Sequence, residues 1–317
     1  MTSLALGCLA LAFCATMALG RPTIGWLRTR QLGEQIREVG LEHHQRKRGT
    51  PTMGGLLMIA VVTILALVLD WRWPEIAPLL VGLLGFGFLG ALDDLAKVAN
   101  RQGYGFQVRY KFIWHPGLAL LLGLLLYFVL GQHTIDVGPI RNVELGWAYI
   151  PLAVLAVFSS SSASLVDGLD GLAAGIYTLC LVAYLVIALH NGQDGLAIFT
   201  ALAIGALLGF LWFNAHPAQV FMGDTGALAF GGTLGVVAMM SHQVLLLPLI
   251  GLTLVVEVLS VMLQVSYFKL THGKRIFLMS PFHHHLEKLG WHEVTIVQRF
   301  WLVTAITAAL GIGIVFL

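Results

Sequence analysis

Three aspartate-bearing motifs give this sequence side chains suited to binding a metal ion and phosphates. Asp93 and Asp94 are adjacent, Asp167 and Asp170 stand three residues apart among glycines, and Asp224 lies in a Gly-Asp-Thr-Gly stretch. Adjacent carboxylates repel one another unless a cation or a basic group lies nearby. Carboxylate oxygens also suit Mg²⁺, which keeps several waters and pairs with substrate phosphates. Each motif alone equally fits a solvated helix end or a turn with an Asp N-cap, but together they favour a Mg²⁺–diphosphate site.

Lysine and histidine side chains accompany these aspartates. Lys97 follows Asp94 by three residues, a spacing that fits a helix-surface ion pair. Lys97, Lys47 and Lys111 could also bind a phosphate as compact point charges. The run His283–His285 is not a zinc motif, because adjacent residues on a helix point in different directions. As a loop, it could present one or two imidazoles to a phosphate or a sugar, the alternative being an ordinary polar loop.

The composition is that of an integral membrane protein. The chain has 317 residues, of which 58% are hydrophobic and 11% charged, whereas a soluble domain carries about 25% charged residues. The three cysteines have no metal-ligand spacing and predict no disulfide framework. Arginines follow the first apolar run, which favours a retained first span over a cleaved signal peptide. We therefore predict one integral membrane domain over residues 1–317.

Ten apolar segments are candidates for crossing a bilayer, since a span needs about 20 residues at a rise of about 1.5 Å each. The predicted fold is therefore all-α and polytopic, with about ten transmembrane helices. The segments are 3–20, 53–70, 76–92, 114–131, 147–162, 172–190, 196–213, 226–241, 244–268 and 296–317.

The positions of lysine and arginine orient these spans. Most of the 18 basic residues fall in the segments 21–52, 93–113 and 269–295, which lie on one side of a ten-span bundle. Basic loops face the cytoplasm, so both termini are predicted to be outside. The loops predicted to be cytoplasmic are 21–52, 93–113, 160–171, 214–225 and 269–295. All the polar motifs fall in these loops, which predicts a single site at the cytoplasmic face.

Five motifs resemble those of the phospho-N-acetylmuramoyl-pentapeptide transferases, and the resemblance covers nearly the whole chain. This family belongs to the polyprenyl-phosphate sugar-phosphate transferases. The triple histidine most separates it from relatives that transfer N-acetylglucosamine phosphate. The matching motifs are GTPTMGG at 49–55, DDLAK at 93–97, DGLDGLA at 167–173, Asn214 with FMGDTG at 221–226, and PFHHH at 281–285.

The resemblance implies an activity and a location. The implied reaction uses Mg²⁺ to transfer phospho-MurNAc-pentapeptide from UDP-MurNAc-pentapeptide to undecaprenyl phosphate, giving lipid I and UMP for peptidoglycan synthesis. The implied location is the bacterial inner membrane, so the partners are the two substrates and the lipid bilayer. A homodimer is compatible with the sequence, which does not fix the oligomeric state. No nucleic-acid partner is indicated, because topology explains the basic residues.

The resemblance also implies residue roles. Asp224 and Asp167 would ligate the metal, Asp93 would be the favoured base, and Phe221 would stack near the uracil. The implied catalytic residues are Asp93, Asp94, Asp224 and His283. The implied substrate-binding residues are Lys47, Thr52, Lys97, Lys111, Ser164, Asp167, Asp170, Asn214, Phe221, His284 and His285.

One stretch departs from the family pattern, and three other readings stay open. Ser161 and Ser164 stand where the family has asparagine, and Val166 stands for a threonine. Serine is shorter and offers one hydroxyl in place of an amide donor and acceptor, so a catalytically impaired homologue is one alternative. A sister transferase for another UDP-amino sugar is the second.

The third alternative is a secondary transporter, which ten spans and the intramembrane carboxylate Glu257 would suit. Transporter sites lie near the bilayer midplane, whereas the aspartates here cluster at one face. Glu257 could equally be a hydrogen-bond partner inside the bundle, and we leave it outside the predicted site. A single displacement is the favoured mechanism, and a covalent aspartyl-phosphate route is its alternative.

Overall fold

The computed structural model describes residues 1–30, 49–69, 73–99, 105, 108–138 and 140–317, and most of that chain is helical. The predicted all-α, polytopic architecture is confirmed. The helices in chain order are α1 (Thr2–Thr29), α2 (Gly55–Leu69), α3 (Trp73–Ala99), α4 (Val108–Leu124), α5 (Tyr149–Ser162), α6 (Leu172–His190), α7 (Asp194–Asn214), α8 (Gly223–Met240), α9 (Leu247–Ile250), α10 (Leu252–Leu270), α11 (Phe282–Lys288) and α12 (Glu293–Val315).

Each predicted span contains a helix. In the described part of the chain, eight helical segments are long and apolar enough to cross a membrane. Six are α1, α3, α6, α7, α10 and α12, and the other two are α4 with the turn that follows it (Tyr110–Val129) and α5 with the turns on either side of it (Gly146–Val166). α2 is shorter, at 15 residues, and α8 has 18 residues, nearly all of them buried. A count of ten spans and the placement of both termini outside stay predictions.

The predicted segment 244–268 starts too early. Residues 244–250 form a 3-10 turn and the short helix α9, and Gly251 separates them from α10. Pro248 lies at the start of α9, where its missing N–H costs no hydrogen bond. The apolar run is therefore continuous in sequence but broken in structure.

α7 and α8 form the centre of the bundle. Almost all their residues are buried, as expected for helices that are hydrophobic all round. α7 packs on α1 and α6, and α8 packs on α3 and α5. Gly209 of α7 faces α1 so closely that an added Cβ would come within 2.7 Å of Thr16 Cβ. Such small residues let membrane helices approach one another without a side chain between them.

The polar motifs meet at one end of the bundle, which we call the motif end. The chain runs back and forth, so the C-terminal ends of α3, α5 and α7 lie beside the N-terminal ends of α4, α6, α8 and α12. Side-chain contacts join these ends directly: Lys111 of α4 contacts Asp93 of α3, and Asp170, just before α6, contacts Glu293 of α12.

A small β-hairpin lies at the opposite end. Strands β1 (Thr134–Val137) and β2 (Ile140–Glu144) pair antiparallel, with Thr134 opposite Glu144. The hairpin is held to the turn after α8, where Asp136 N donates to His242 O at 2.8 Å and Gln243 Nε2 donates to Asp136 Oδ2 at 2.8 Å. The sequence reading did not predict this hairpin, because its strands are short and mostly exposed.

Candidate active site

Asp93 and Asp224 come from different helices and share the same two lysines. Lys111 Nζ lies 2.8 Å from Asp93 Oδ2 and 3.4 Å from Asp224 Oδ2. Lys97 Nζ, one turn after Asp93 on α3, lies 3.2 Å from Asp93 Oδ2 and 2.9 Å from Asp224 Oδ2. The structure therefore brings these four predicted site residues into one ion-pair cluster, which Asp94 borders with its Oδ1 3.6 Å from Lys97 Nζ. The roles of these residues stay predictions.

Asp94 has a different environment from its neighbour Asp93. Its Oδ1 accepts the N–H of Asp224 at 3.0 Å, and its Oδ2 accepts the N–H and the hydroxyl of Thr225 at 2.9 and 2.7 Å. These are the first N–H groups of α8, which a helix leaves without internal partners. Asp94 thus caps α8 from α3, and this geometry favours a positioning role for Asp94, whose catalytic role stays a prediction.

The charges of this cluster fit a divalent cation shared with a phosphate. Asp93, Asp94 and Asp224 with two ammonium groups leave one net negative charge when all are ionised. Aspartate oxygens are the hard donors that Mg²⁺ prefers, and the Asp224 side chain is 20% exposed. Both lysine side chains are about one-third exposed. A ligand can therefore reach this cluster from the motif end.

The other predicted metal ligand, Asp167, lies on the far side of a 3-10 turn from α5. The turn spans Ala163–Val166 and ends at Asp167, whose N–H donates to Ser164 O at 3.1 Å. Asp167 is half-buried. Its assignment as a ligand of the same ion as Asp224 stays a prediction.

The segment before α2 packs along the loop that precedes α8. Phe221 N donates to Pro51 O, and Gly54 N donates to Phe221 O, both at 2.8 Å. Gly55 lies against Gly226 so closely that a side chain there would overlap the α8 backbone. Thr52 is buried in this segment beside Gly223. The predicted residue Lys47 lies outside the described residues.

A second polar group surrounds Asp170. Asp170 N donates to Glu293 Oε1 at 2.7 Å, and Asp170 Oδ2 lies 3.0 Å from His216 Nδ1. Ligand atoms of Asp170, His216 and Glu293 all lie within 4.8 Å of one another. Two carboxylates and an imidazole are a second place that could hold a divalent cation.

Asn214 ties this group to the loop before α8. Its Oδ1 accepts the N–H of Gly171 at 3.1 Å, and its Nδ2 donates to Val220 O at 2.9 Å. The sequence reading named Asn214 and Asp170 but missed His216 and Glu293. His216 lies in the loop 214–225, which the sequence analysis did assign to the site. Glu293 has no sequence spacing that links it to Asp170 or to Asn214.

The three adjacent histidines lie on the short helix α11 and not in a loop as predicted. Their side chains point to different partners, as the helical geometry requires. His284 Nδ1 lies 2.6 Å from Glu287 Oε2, and the N–H of Leu278 donates to His285 Nδ1 at 3.2 Å. His283 is fully buried, with its ring packed against Gly168 of the Asp167–Ala173 motif.

Glu257 of α10 holds His283 in that position. Its Oε1 accepts the N–H of His283 at 3.1 Å. Its Oε2 lies 3.1 Å from His283 Nδ1 without the alignment of a hydrogen bond. Glu257 is fully buried, so the carboxylate that the sequence reading set aside contacts a predicted catalytic residue.

Ser161 and Ser164, the serines that depart from the family pattern, lie at the end of α5 and in the 3-10 turn that follows it. Ser161 is fully buried, and its hydroxyl donates to Phe158 O at 2.9 Å. Ser162 donates to the same carbonyl at 2.8 Å. Ser164 is half-buried and precedes Asp167 in the 3-10 turn. Of the two replaced positions, Ser164 is therefore the one that borders the site.

Comparisons with known proteins agree with one another. The family described as glycosyl transferase family 4 matches residues 76–242, and a phospho-N-acetylmuramoyl-pentapeptide-transferase signature matches residues 47–59. The chain is 42% identical to the phospho-N-acetylmuramoyl-pentapeptide-transferase of Desulfotalea psychrophila, over 97% of this chain and 91% of that protein. It is 43% identical to the same enzyme of Geobacillus kaustophilus, over 96% of each chain, and 44% identical to that of Heliobacterium modesticaldum, over 93% of each.

Proposed function

Because this chain belongs to the phospho-N-acetylmuramoyl-pentapeptide-transferase family, we propose that it transfers phospho-MurNAc-pentapeptide from UDP-MurNAc-pentapeptide to undecaprenyl phosphate. The products would be lipid I and UMP. The observation that carries this proposal is the cluster of Asp93, Lys97, Lys111 and Asp224, which gathers both charge signs at the motif end. The protein is a multi-pass membrane transferase, and we place it in the bacterial inner membrane with the motif end facing the cytoplasm.

Phosphoryl transfer needs mainly positioning and charge neutralisation, and the two lysines can supply both. Their ammonium groups now contact aspartate oxygens, and their partial exposure lets them contact phosphate oxygens in the same place. We assign Lys111 and Asp93 to the acceptor phosphate. A phosphate monoester has a second pKa of about 6, so the acceptor is largely a dianion near neutral pH. Asp93 then orients the acceptor and need not remove a proton.

We assign the metal to Asp224 with Asp167. The bound Mg²⁺ would neutralise charge on the donor diphosphate and on the departing UMP. Asp224 lies at the start of α8, where the N-terminal helix dipole also favours the approach of an anion. The Asp94 contacts with the Asp224 and Thr225 N–H groups keep this helix start next to Asp93.

We assign the nucleotide to the region around Asp170, Asn214 and Phe221, with Ser164 and Thr52 at its border. His283 and His284 support the diphosphate and the sugar. Hydrogen bonds through Asn214 fix the distance between the start of α6 and residue 220. We therefore expect the uridine to bind against two loops that the hydrogen bonds of Asn214 hold together.

The test is a transfer assay with the full-length protein in detergent. Undecaprenyl phosphate, Mg²⁺ and UDP-MurNAc-pentapeptide are supplied, and UMP release and the lipid product are measured together. We expect product that requires Mg²⁺, is abolished by EDTA and is lost in Asp224→Asn. Asp194→Asn is the matched control, because Asp194 begins α7 at the opposite end of the bundle.

The same assay separates the alternatives. Product from UDP-N-acetylglucosamine in place of UDP-MurNAc-pentapeptide would assign the chain to a sister transferase. No product from either donor with folded protein would refute transferase activity and indicate an impaired homologue. UMP exchange in the absence of lipid would support the covalent route over a single displacement.

A further inference from the structure

Asp170, His216 and Glu293 hold their ligand atoms at the spacing of a metal site. Asp170 Oδ2 lies 3.0 Å from His216 Nδ1, and His216 Nδ1 lies 3.8 Å from Glu293 Oε2. Donor atoms bound at about 2.0–2.2 Å to a tetrahedral ion stand about 3.4 Å apart, and the two separations lie on either side of that value. One ion can therefore contact all three side chains after small movements.

We propose that this group binds Zn²⁺ and that the bound ion competes with the sugar nucleotide. The binding stands on its own, whereas the competition rests on the proposed function. Zn²⁺ takes imidazole nitrogen together with carboxylate oxygens in four-coordinate sites. Mg²⁺ prefers oxygen ligands and keeps several waters, so the imidazole of His216 separates this group from the all-oxygen pair of Asp167 and Asp224.

Backbone N–H groups hold both carboxylates in place. Asp170 Oδ2 accepts the N–H of Ala218 at 3.1 Å, and Glu293 Oε1 accepts the N–H of Asp170 at 2.7 Å. That second bond uses Oε1, whereas the Glu293 oxygen 3.8 Å from His216 Nδ1 is Oε2. Outer contacts of this kind orient the carboxylates that ligate metal ions. The ligand arrangement is therefore set before an ion arrives.

An ion reaches the group from its imidazole side. The side chain of His216 is 41% exposed, whereas those of Asp170 and Glu293 are 2% and 6% exposed. The exposed His292 stands nearby, with its ring centroid 6.3 Å from that of His216. Its Nδ1 accepts the N–H of Val294 at 3.3 Å, a long contact that the ring can give up. Either His292 or a water then completes a four-coordinate site.

The position of the group accounts for the competition. Asp170 belongs to the region assigned to the nucleotide, and the next residue, Gly171, donates its N–H to Asn214 Oδ1 at 3.1 Å. A carboxylate oxygen that coordinates Zn²⁺ is no longer available to the nucleotide. The ion also ties the residues before α6 to the start of α12. We therefore expect Zn²⁺ to raise the KM for the sugar nucleotide and to leave the KM for undecaprenyl phosphate unchanged.

Metal binding is measured without turnover. Full-length protein in detergent, purified without a histidine tag, is stripped of metal, kept in excess Mg²⁺ and titrated with Zn²⁺ by isothermal calorimetry. Co²⁺ serves as a spectroscopic probe in a parallel titration, because its visible absorption depends on its ligands and coordination number. We expect one Zn²⁺ per chain that excess Mg²⁺ does not displace, and a Co²⁺ spectrum that Zn²⁺ abolishes.

Conservative variants test which side chains hold the ion. His216→Gln and Glu293→Gln should each weaken the affinity for Zn²⁺ by about 100-fold, since losing an outer contact alone costs about 10- to 100-fold. Glutamine at position 293 keeps an oxygen for the Asp170 N–H, and glutamine at position 216 keeps an amide that can donate to Asp170. Both variants should therefore fold.

His272→Ala is the matched control, because His272 is an exposed histidine in the turn after α10 and does not belong to the group. It should bind Zn²⁺ as wild type does. Unchanged affinity in either glutamine variant would overturn the proposal, as would an equal loss in His272→Ala.

Inhibition is measured as the ratio of UMP release with and without Zn²⁺ in each variant, so that differences in basal rate cancel. Zn²⁺ should raise the KM for the sugar nucleotide in wild type and in His272→Ala but not in His216→Gln. Zn²⁺ binding with an unchanged KM in wild type would overturn the competition. Zn²⁺ binding at the group without UMP release from any preparation would refute the transferase assignment and leave the metal site in place.

Discussion

Asp94 accepts the N–H of Asp224, at 3.0 Å, and so joins the end of α3 to the start of α8. The adjacent Asp93 contacts the ammonium groups of Lys97 and Lys111, at 3.2 and 2.8 Å. Two neighbouring carboxylates therefore have separable tasks. One fixes the relative position of two helices, and the other pairs with the two lysines.

Replacing Asp94 by asparagine should mainly lower the stability of the protein, whereas replacing Asp93 by asparagine should mainly lower its activity. In Asp94→Asn only one side-chain oxygen remains to accept the α8 N–H groups, so we expect a loss of about 1–3 kcal/mol in unfolding free energy and a lower Tm. Asp93→Asn should leave Tm close to wild type and lower kcat by about 100-fold, because the acceptor phosphate loses the group that orients it. Thermal unfolding in detergent and the UMP assay measure the two effects. Equal Tm changes in both variants would contradict this division.

The two candidate cation positions can be distinguished by titrating Mg²⁺. Asp224→Asn should abolish or strongly shift the Mg²⁺ dependence of the rate, because Asp224 is the proposed ligand. His216→Ala should leave that dependence unchanged and raise the KM for the sugar nucleotide several-fold, since His216 contacts Asp170 at 3.0 Å. The reverse pattern would move the catalytic metal to the group formed by Asp170, His216 and Glu293.

Glu257 should act through His283. Glu257→Ala removes a buried acceptor and leaves the His283 N–H unpaired, so we expect a loss of about 1–3 kcal/mol in stability together with low activity. Glu257→Gln keeps an oxygen for that N–H and should recover most of the stability. In a double-mutant cycle, Glu257→Gln should cause no further loss of kcat once His283→Ala is present. Additive losses would show that Glu257 has a role independent of His283.

Restoring the family asparagine should have opposite effects at the two serine positions. Ser161 is fully buried and packed near α8, so Ser161→Asn should overpack that contact, lower stability by about 1–3 kcal/mol and leave the rate no higher than that of wild type. Ser164 is half-buried beside Asp167, so Ser164→Asn should be tolerated and should lower the KM for the sugar nucleotide. Parallel Tm and KM measurements on both variants test this. A gain of activity in Ser161→Asn would mean that this position reaches the substrate.

The gathering of the motifs at one end of the bundle could be predicted because it depends on properties that run along the chain. The alternation of apolar spans and the positions of lysines already place Asp93, Asp167 and Asp224 on one side. The contact between Asp170 and Glu293 could not be predicted in this way. These residues are 123 positions apart, and only the packing of α12 on α6 brings them together.

Two local features could not be predicted from the sequence because they depend on tertiary packing. The run His283–His285 reads as a polar loop, but it forms a helix because Glu257 accepts the His283 N–H and the ring packs on Gly168. The division of labour between Asp93 and Asp94 was likewise invisible. The sequence does not distinguish two adjacent aspartates. Their side chains differ in direction because Lys111 of α4 lies opposite Asp93 and the N–H groups of α8 lie opposite Asp94.

The bond from the Asp170 N–H to Glu293 also sets an order of events during synthesis. Glu293 begins the last helix of the chain, so a ribosome that has produced α1 to α10 has not yet supplied the partner that holds the start of α6. The nascent protein therefore stays incomplete until its final span is inserted, and chains truncated before α12 would lack one of the three side chains of the Asp170, His216 and Glu293 group even with every aspartate present.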